Sequence, residues 1–270
     1  MNFRDWRGIC AAAICFAVQT SGAMAQSIAP IPYVFGQGDT ISGAQALILQ
    51  MYGPSSQCKA MRPTVVWFGT APQGTDALNT EPRTLSKELV QQGYNLVVLN
   101  ELKGHVGNSD AAKDALFWLS ENAATLCHDP NKTILWGKNM GADLALETAY
   151  AKDLLSRLYP APIAVVAISS AGIRHSHLRR GDPALFLVQG SKSKTLPPPD
   201  AKALAKAAHS RAIPVHSHQI IGGDASSPHL NVFDVRLINR PLIDHIQLFL
   251  EAAIDRKPYK SRATQSQIPK

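Results

Sequence analysis

Apolar runs and amphipathic segments alternate along most of the chain. Short runs of β-branched, aliphatic and aromatic residues, typical of buried strands, occupy 64–68, 96–99, 133–136, 163–168, 184–188 and 215–221. Helical periodicity marks 85–92, 110–126, 142–150, 201–208 and a last segment that begins at Pro241. This alternation predicts an α/β fold with a mostly parallel central sheet and helices on both of its faces.

The ends of the pattern add three details. Residues 46–51 predict one strand of a leading hairpin, and Asp200 is placed to cap the helix that follows it. Proline is favoured in the first turn of a helix, which suits Pro241 as the start of the last one. No internal repeat and no linker interrupts the pattern, so we expect a single domain over 26–257.

The composition is that of a globular protein. The chain has 270 residues, of which 45% are hydrophobic and 17% charged, and this is enough for a substantial core. Aromatic residues make up 7%, and the mean hydropathy is −0.07. These values exclude a protein with many membrane spans and a mostly disordered chain.

The first 25 residues have the layout of a secretory signal peptide. Arg4 and Arg7 precede an apolar run over 9–18, and Ala23-Met24-Ala25 supplies the small-residue cleavage pattern. A membrane anchor is the alternative, but the apolar run is too short to span a bilayer. We therefore expect cleavage after Ala25, a secreted or periplasmic protein, and no stable membrane insertion once the signal is removed.

Positive charge is concentrated at the other end. The formal net charge is +7, and residues 256–270 hold five cationic side chains and no acidic one. Residues 258–270 are predicted to be a basic, disordered tail, with attachment to an anionic surface as the alternative. No basic stripe interleaved with aromatic residues occurs, so a nucleic-acid partner is not expected.

One segment carries a recognisable motif. The chain reads Gly137-Lys-Asn-Met-Gly141 where a predicted strand passes into a predicted helix. Two glycines at this spacing permit a turn that holds Asn139 in a strained conformation with its side chain exposed. The segment resembles the nucleophile elbow of the α/β-hydrolase superfamily, most closely that of the dienelactone-hydrolase and prolyl-oligopeptidase-like branches.

Other segments extend this resemblance over roughly residues 45 to 255. They are similar to the strand entered through Gly-Tyr, the R-G-x-G-x-S loop, the D-P-x-x-I run into the elbow and the H-G-x-x-D-x-x-V-P segment. In this chain they lie at 91–100, 103–109, 127–136 and 189–197. The resemblance implies an α/β-hydrolase fold with a central sheet and a cleft beside the elbow.

The resemblance also assigns a catalytic site, and here the residues differ from the family pattern. The triad positions fall on Asn139 as nucleophile, Ser193 as acid and His229 as base. An amide nitrogen has no usable lone pair, and a serine does not stabilise an imidazolium as a carboxylate does. The backbone donors for an oxyanion are expected at Gly69, Thr70 and Met140.

Three hypotheses about function follow. The first is a binding or scaffold protein that lacks conventional hydrolase activity. The second is a hydrolase of small esters with a displaced serine nucleophile, for which Ser169, Ser170, Ser226 and Ser227 are the candidates. The third is hydrolysis of Asn139 to Asp, which would create a carboxylate nucleophile. Asp224 is either an acid for His229 or a turn residue.

The cysteines and the remaining histidines complete the predictions. Cys10 and Cys15 leave with the signal, so Cys58 and Cys127 remain and are predicted to pair. In the hydrolase topology they precede neighbouring parallel strands. The pairs His175/His177 and His216/His218 would each share one face if extended, but no carboxylate cluster accompanies them. We expect no metal and no cofactor, and the small-molecule ligand is not identified by the sequence.

Overall fold

A computed structural model describes residues 26–33, 47–53, 58, 60–69, 80–100, 109–192, 197–220, 232–237 and 240–257. Eight of its strands form the main sheet: β1 (Gln26–Tyr33), β2 (Leu47–Gly53), β3 (Arg62–Gly69), β4 (Asn95–Asn100), β5 (His128–Lys138), β6 (Ala164–Ile168), β7 (Ala184–Gly190) and β8 (Val215–Ile220). Their order is β1-β2-β4-β3-β5-β6-β7-β8. The short strands β9 (Arg236–Leu237) and β10 (Arg240–Pro241) form a separate pair.

The sheet is mostly parallel. Strands β3 to β8 run in one direction, whereas β2 is antiparallel to β4 and β1 is antiparallel to β2. The predicted leading hairpin and the predicted parallel α/β sheet are therefore confirmed. Because parallel strands end at the same side, the carboxyl ends of β3 to β8 form one edge, where open α/β sheets carry their sites.

Six helices cover the two faces of the sheet: α1 (Thr80–Gln91), α2 (Ser109–Glu121), α3 (Ala123–Leu126), α4 (Met140–Tyr150), α5 (Pro198–Ser210) and α6 (Leu242–Ile254). Alternate residues of β3 enter two separate cores, Val66 and Phe68 on the side of α2, α4 and α5, and Val65 and Trp67 on the side of α1 and α6. Strands that are buried on both faces read as continuous apolar runs, which is the pattern that identified them in the sequence.

Two predicted helix boundaries are wrong. The helix expected over 110–126 is interrupted at Asn122, whose Nδ2 donates to the Trp118 carbonyl at 2.8 Å, and α3 follows as a separate short helix. Bonds of this kind compete with the helix ladder. Asp200 is not the cap of α5, because Pro197 is the N-cap and the helix begins at Pro198. Prolines suit the first turn, where their missing N–H has no intrahelical acceptor.

The predicted disulfide is present. Cys58 and Cys127 are bonded, with their Cα atoms 5.3 Å apart and 69 positions apart in sequence. The bridge lies at the amino-terminal end of β3 and β5, which are parallel neighbours, and the Arg62 N–H donates to the Cys127 carbonyl at 2.8 Å. It therefore joins the middle of the sheet at the edge opposite the elbow.

A histidine cluster lies between β8 and α6. His218 has its ring centroid 4.9 Å from that of Phe186 and 5.9 Å from that of His245 on α6. Within the described residues the buried Nε2 of His218 has no hydrogen-bond partner. Burial of the ring, with His245 and His216 nearby, lowers the pKa of His218 from 6.5 to about 4.

We expect acid to destabilise the protein through this cluster. Because the folded-state pKa of His218 lies below that of the unfolded chain, the stability it contributes is present above pH 6.5 and is lost as the pH falls towards about 4. The loss is at most about 3 kcal/mol. His218→Phe keeps an aromatic ring without a titrating group, so urea unfolding between pH 7 and pH 4.5 should show a smaller loss than in wild type.

His209→Phe, on the exposed side of α5, is the matched control and should keep the wild-type pH dependence. His128 is also buried, which lowers its pKa to about 4, and its contribution is common to all three proteins. Equal pH dependence in His218→Phe and wild type would contradict the prediction.

None of the helices in the described part of the chain combines the length and the hydrophobicity that a bilayer span requires.

Candidate functional site

The turn between β5 and α4 has the strained geometry predicted for an elbow. Asn139 is the N-cap of α4 and has φ 54° and ψ −124°, a positive φ that is costly for a residue with a side chain. Its N–H donates to the Ile168 carbonyl on β6 at 2.8 Å, and its carbonyl accepts from the Ala142 N–H at 2.9 Å. The neighbouring strand and the new helix thus hold this backbone in place from both sides.

The two glycines of the motif are required by close backbone contacts. A Cβ atom on Gly137 would lie 2.0 Å from the Gly141 carbonyl oxygen, and one on Gly141 would lie 2.0 Å from the Phe68 carbonyl oxygen. Neither position accepts a side chain without moving the backbone. The G-x-x-x-G spacing therefore packs the first turn of α4 against the end of β3 and brings Asn139 to the carboxyl edge of the sheet.

The group presented at this turn is a carboxamide. Asn139 is half-buried, and its side chain makes no capping hydrogen bond to α4. An amide offers two N–H donors and one acceptor oxygen, but it does not attack a carbonyl carbon. At this position Asn139 is suited to hydrogen-bond a ligand and is unsuited to form an acyl-enzyme intermediate.

Two of the three predicted oxyanion donors come to the same edge. Gly69 is the last residue of β3, and Met140 is the first residue of α4, with a side chain that is 42% exposed. The first N–H groups of a helix have no acceptor within the helix, so the Met140 N–H suits the predicted role. Thr70, the third predicted donor, lies outside the described residues.

The other triad-equivalent residues also lie outside the described residues. The backbone after β7 is described as far as Lys192, one residue before Ser193, and the backbone after β8 is described as far as Ile220. His229, Asp224, Ser226 and Ser227 all fall within 221–231, which is not described. Their assignment stays a prediction.

The two serines that follow β6 differ from each other. Ser170 is fully buried, and its hydroxyl accepts hydrogen bonds from the Gly172 N–H and from Gln189 Nε2, both at 3.2 Å. Ser169 has φ 62°, and its buried hydroxyl has no hydrogen-bond partner among the described residues. Ser170 therefore has a structural role, whereas the hydroxyl of Ser169, beside the elbow, is uncommitted.

Asp143 is a residue of this site that the sequence analysis did not identify. It lies in the first turn of α4, and its carboxylate accepts the Ala171 N–H at 2.5 Å. Burial raises the pKa of Asp143, and hydrogen bonds from the Ala171 and Gly172 N–H groups oppose that rise. The only signal in the sequence is an acidic residue four positions after Asn139, and its partner lies 28 residues away.

The histidine pairs do not form a metal site in the described part of the chain, where no group of His, Cys, Asp and Glu side chains is placed to hold an ion. His216 and His218 share one face of β8, as predicted. His175 and His177 do not, because they lie on a 3₁₀ turn, and the extended geometry expected for them is wrong.

Comparison with solved structures identifies the fold. Thermogutta terrifontis esterase 2, in a structure described as phosphorylated by paraoxon, is 19% identical with a TM-score of 0.66, over 86% of this chain and 96% of the esterase. Its native structure is 16% identical, with a TM-score of 0.65 and 87% and 95% coverage. Its propionate-bound structure is 16% identical, with a TM-score of 0.64 and 87% and 97% coverage.

No protein-family model and no curated protein sequence matches the chain. At these identities the likeness to the solved structures establishes the fold alone. The chain has an α/β-hydrolase fold in a single domain, as the sequence predicts.

Proposed function

We propose that this chain binds a small molecule in the cleft beside Asn139 and lacks the Ser-His-Asp chemistry of a conventional hydrolase. The observation that carries the proposal is the complete elbow built around a carboxamide. The turn keeps the strain, the two close glycine contacts and the adjacent Met140 N–H, while the residue at its centre is not a nucleophile. A cleft with this arrangement favours binding over acyl transfer.

Within the hydrolase superfamily we assign the chain to the dienelactone-hydrolase and prolyl-oligopeptidase-like branch. The support is the set of sequence segments around the elbow, with Asn139 and Ser193 at the nucleophile and acid positions and His229 at the base position. The esterase to which the chain is similar has been solved with propionate bound. Short-chain acids and their esters are therefore the first compounds to test.

Ester turnover tests this function. Wild-type protein should hydrolyse p-nitrophenyl acetate and p-nitrophenyl butyrate no faster than Asn139→Ala, which keeps the turn but removes the amide. Turnover by wild type that is lost in Asn139→Ala would overturn the proposal, because it would require chemistry at the elbow itself.

The second candidate function is hydrolysis of small esters by a displaced serine. Ser169 favours it, because its strained backbone and uncommitted hydroxyl lie one strand from Asn139. In this case turnover should persist in Asn139→Ala and disappear in Ser169→Ala. Ser170→Ala is not a suitable control because the Ser170 hydroxyl supports the neighbouring turn, so Ser176→Ala, on an exposed position, is used instead.

A third route starts from hydrolysis of Asn139 to Asp, which would supply a carboxylate nucleophile. This change raises the mass of the chain by about 1 Da because an amide NH₂ becomes OH. Intact mass and peptide mapping of residues 137–141 decide it directly, and we expect the unmodified amide.

We further propose that the protein is exported and begins at Gln26. Cleavage after Ala25 would leave β1 whole, because that strand starts with Gln26 and pairs with Gly53. Amino-terminal sequencing of secreted or periplasmic protein should read Gln-Ser-Ile-Ala. A sequence that begins at Met1, or protein retained in the membrane fraction, would refute it.

A further inference from the structure

A groove lies next to the elbow, between the segment that follows β6 and the first turns of α5. Residues 171–175 line one side, and Asp200, Ala203 and Leu204 line the other. Its volume is about 380 Å³, within the range of small-molecule sites. The segment 171–175 begins three residues after Ile168, whose carbonyl holds the Asn139 N–H, so this groove, called here the β6–α5 groove, adjoins the cleft beside Asn139.

One wall of the groove is held rigidly by buried side chains. The Asp143 carboxylate accepts the Ala171 N–H, and the Ser170 hydroxyl accepts the Gly172 N–H. Gln189 Nε2 donates to the Ser170 carbonyl at 3.0 Å. Ser169 and Gly172 both have positive φ in this segment. Strained backbone persists where surrounding contacts over-determine it, and such segments cluster at ligand sites.

The lining combines an apolar surface with two unpaired charges of opposite sign. Leu204 is only 1% exposed, and Ile173 packs against the same core cluster. Arg174 and Asp200 are exposed side chains, and neither has an ion-pair partner among the described residues. They also do not pair with each other, although both line the same groove.

A second groove of similar size provides a contrast. It is lined by residues of α2 and of the end of α4, and its volume is about 420 Å³. Its two lysines are already neutralised, because Lys113 pairs with Asp153 and Lys152 pairs with Asp182. Asp182 is completely buried. Charges that satisfy each other form part of the fold, whereas the charges of the β6–α5 groove have only solvent or a ligand to meet.

We propose that the β6–α5 groove binds an apolar α-amino acid in its zwitterionic form. Arg174 takes the carboxylate, Asp200 takes the ammonium group, and the amino-acid side chain lies on Leu204 and Ile173. A guanidinium presents paired N–H donors that match a carboxylate, and a carboxylate accepts all the hydrogen bonds that an ammonium group donates. The proposal rests on the proposed function, since it names the ligand class of a non-hydrolytic cleft.

Titration calorimetry with three matched compounds tests the charge pattern. Phenylalanine carries both charges, N-acetyl-phenylalanine lacks the ammonium group, and phenylalanine amide lacks the carboxylate. Wild type should bind phenylalanine, and each of the two analogues should bind at least about tenfold more weakly, because each leaves one groove charge without a partner.

Two variants assign the charges to their partners. Arg174→Gln should weaken phenylalanine and N-acetyl-phenylalanine about tenfold and leave phenylalanine amide unchanged. Asp200→Asn should weaken phenylalanine and phenylalanine amide and leave N-acetyl-phenylalanine unchanged. Arg180→Gln and Asp234→Asn remove the same charges from exposed positions outside the groove and should bind all three compounds as wild type does.

Absence of phenylalanine binding at about 10 mM overturns the proposal. So does binding that both groove variants leave unchanged, or that both variants weaken equally for all three compounds. These outcomes are distinct from failure of the proposed function, which is ester turnover lost in Asn139→Ala. A protein that binds phenylalanine and also hydrolyses esters would keep the groove and lose the non-hydrolytic assignment.

Discussion

Asn139→Ser combined with Ser193→Asp should give hydrolysis of p-nitrophenyl acetate that neither single variant shows. The elbow still presents residue 139 in the strained turn, next to the Met140 N–H and the end of β3. Serine there would have His229 as its predicted base, but no carboxylate would hold that imidazole in the required tautomer. Aspartate alone at 193 would have no nucleophile to serve.

The expected size follows from the role of the orienting acid. In serine proteases loss of that carboxylate lowers kcat by about 10⁴. The gain from Ser193→Asp in the Asn139→Ser background should therefore be on the order of 10³ to 10⁴, and it should be strongly non-additive, because the residues act as one unit. Initial rates for wild type, both single variants and the double variant measure the coupling.

A control separates this effect from added charge. Asn139→Ser with Ser176→Asp adds the same carboxylate on an exposed 3₁₀ turn and should show no gain. If the double variant with Ser193→Asp keeps the wild-type circular dichroism spectrum and is still inactive, the assignment of Ser193 and His229 to the triad positions is wrong. The cleft would then be a binding surface with no remnant of catalytic geometry.

Removing the disulfide should cost the protein about 4 kcal/mol of unfolding free energy in the chain-entropy treatment of a closed loop of this length. The bridge joins positions 69 apart in sequence and fixes the amino-terminal ends of β3 and β5. Cys58→Ser with Cys127→Ser frees the loop in the unfolded chain, which then gains conformational entropy on unfolding. Urea unfolding of oxidised wild type and of the double variant measures the difference.

Reduced wild type is the matched control, since dithiothreitol opens the same loop without changing the sequence. Reduced wild type and the double serine variant should unfold at the same urea concentration, below that of the oxidised protein. Two reactive thiols in denatured, unreduced protein would show that the bridge does not form in the exported chain. Equal stability of the oxidised and reduced proteins would contradict the stabilising role.

The fold could be predicted because local signals and global arrangement agree. The strands are buried on both faces, so β4 to β7 appear in the sequence as continuous apolar runs bounded by helical segments. The elbow could be predicted for a different reason. Only glycine fits at 137 and 141, where a Cβ would strike the backbone, so the spacing carries a three-dimensional contact into the sequence.

Other features depend on contacts that a linear pattern does not contain. The bond from the Ala171 N–H to Asp143 joins a helix to the loop after the next strand, and no periodicity marks either residue. Asn122 has an ordinary helical neighbourhood until its side chain bonds the Trp118 carbonyl. Asp200 follows three prolines, and their preference for the first turn displaces the expected cap by three positions.

The site is only partly accessible to sequence reasoning for a chemical reason. A family pattern fixes where a nucleophile and an acid belong, and Asn139 and Ser193 stand in those places. The pattern does not specify what a substituted site binds. That information resides in side chains such as Arg174 and Asp200, which come from different segments and meet only in the folded groove.

The most direct test of the central claim is the intact mass of wild-type protein after incubation with paraoxon. The esterase with the same fold has been solved in a form phosphorylated by this compound. If the elbow of this chain holds an amide that does not attack, the mass should stay that of the untreated protein, and Asn139→Ala should behave identically. A diethylphosphoryl adduct on wild type, mapped to any residue, would contradict the account and identify the nucleophile.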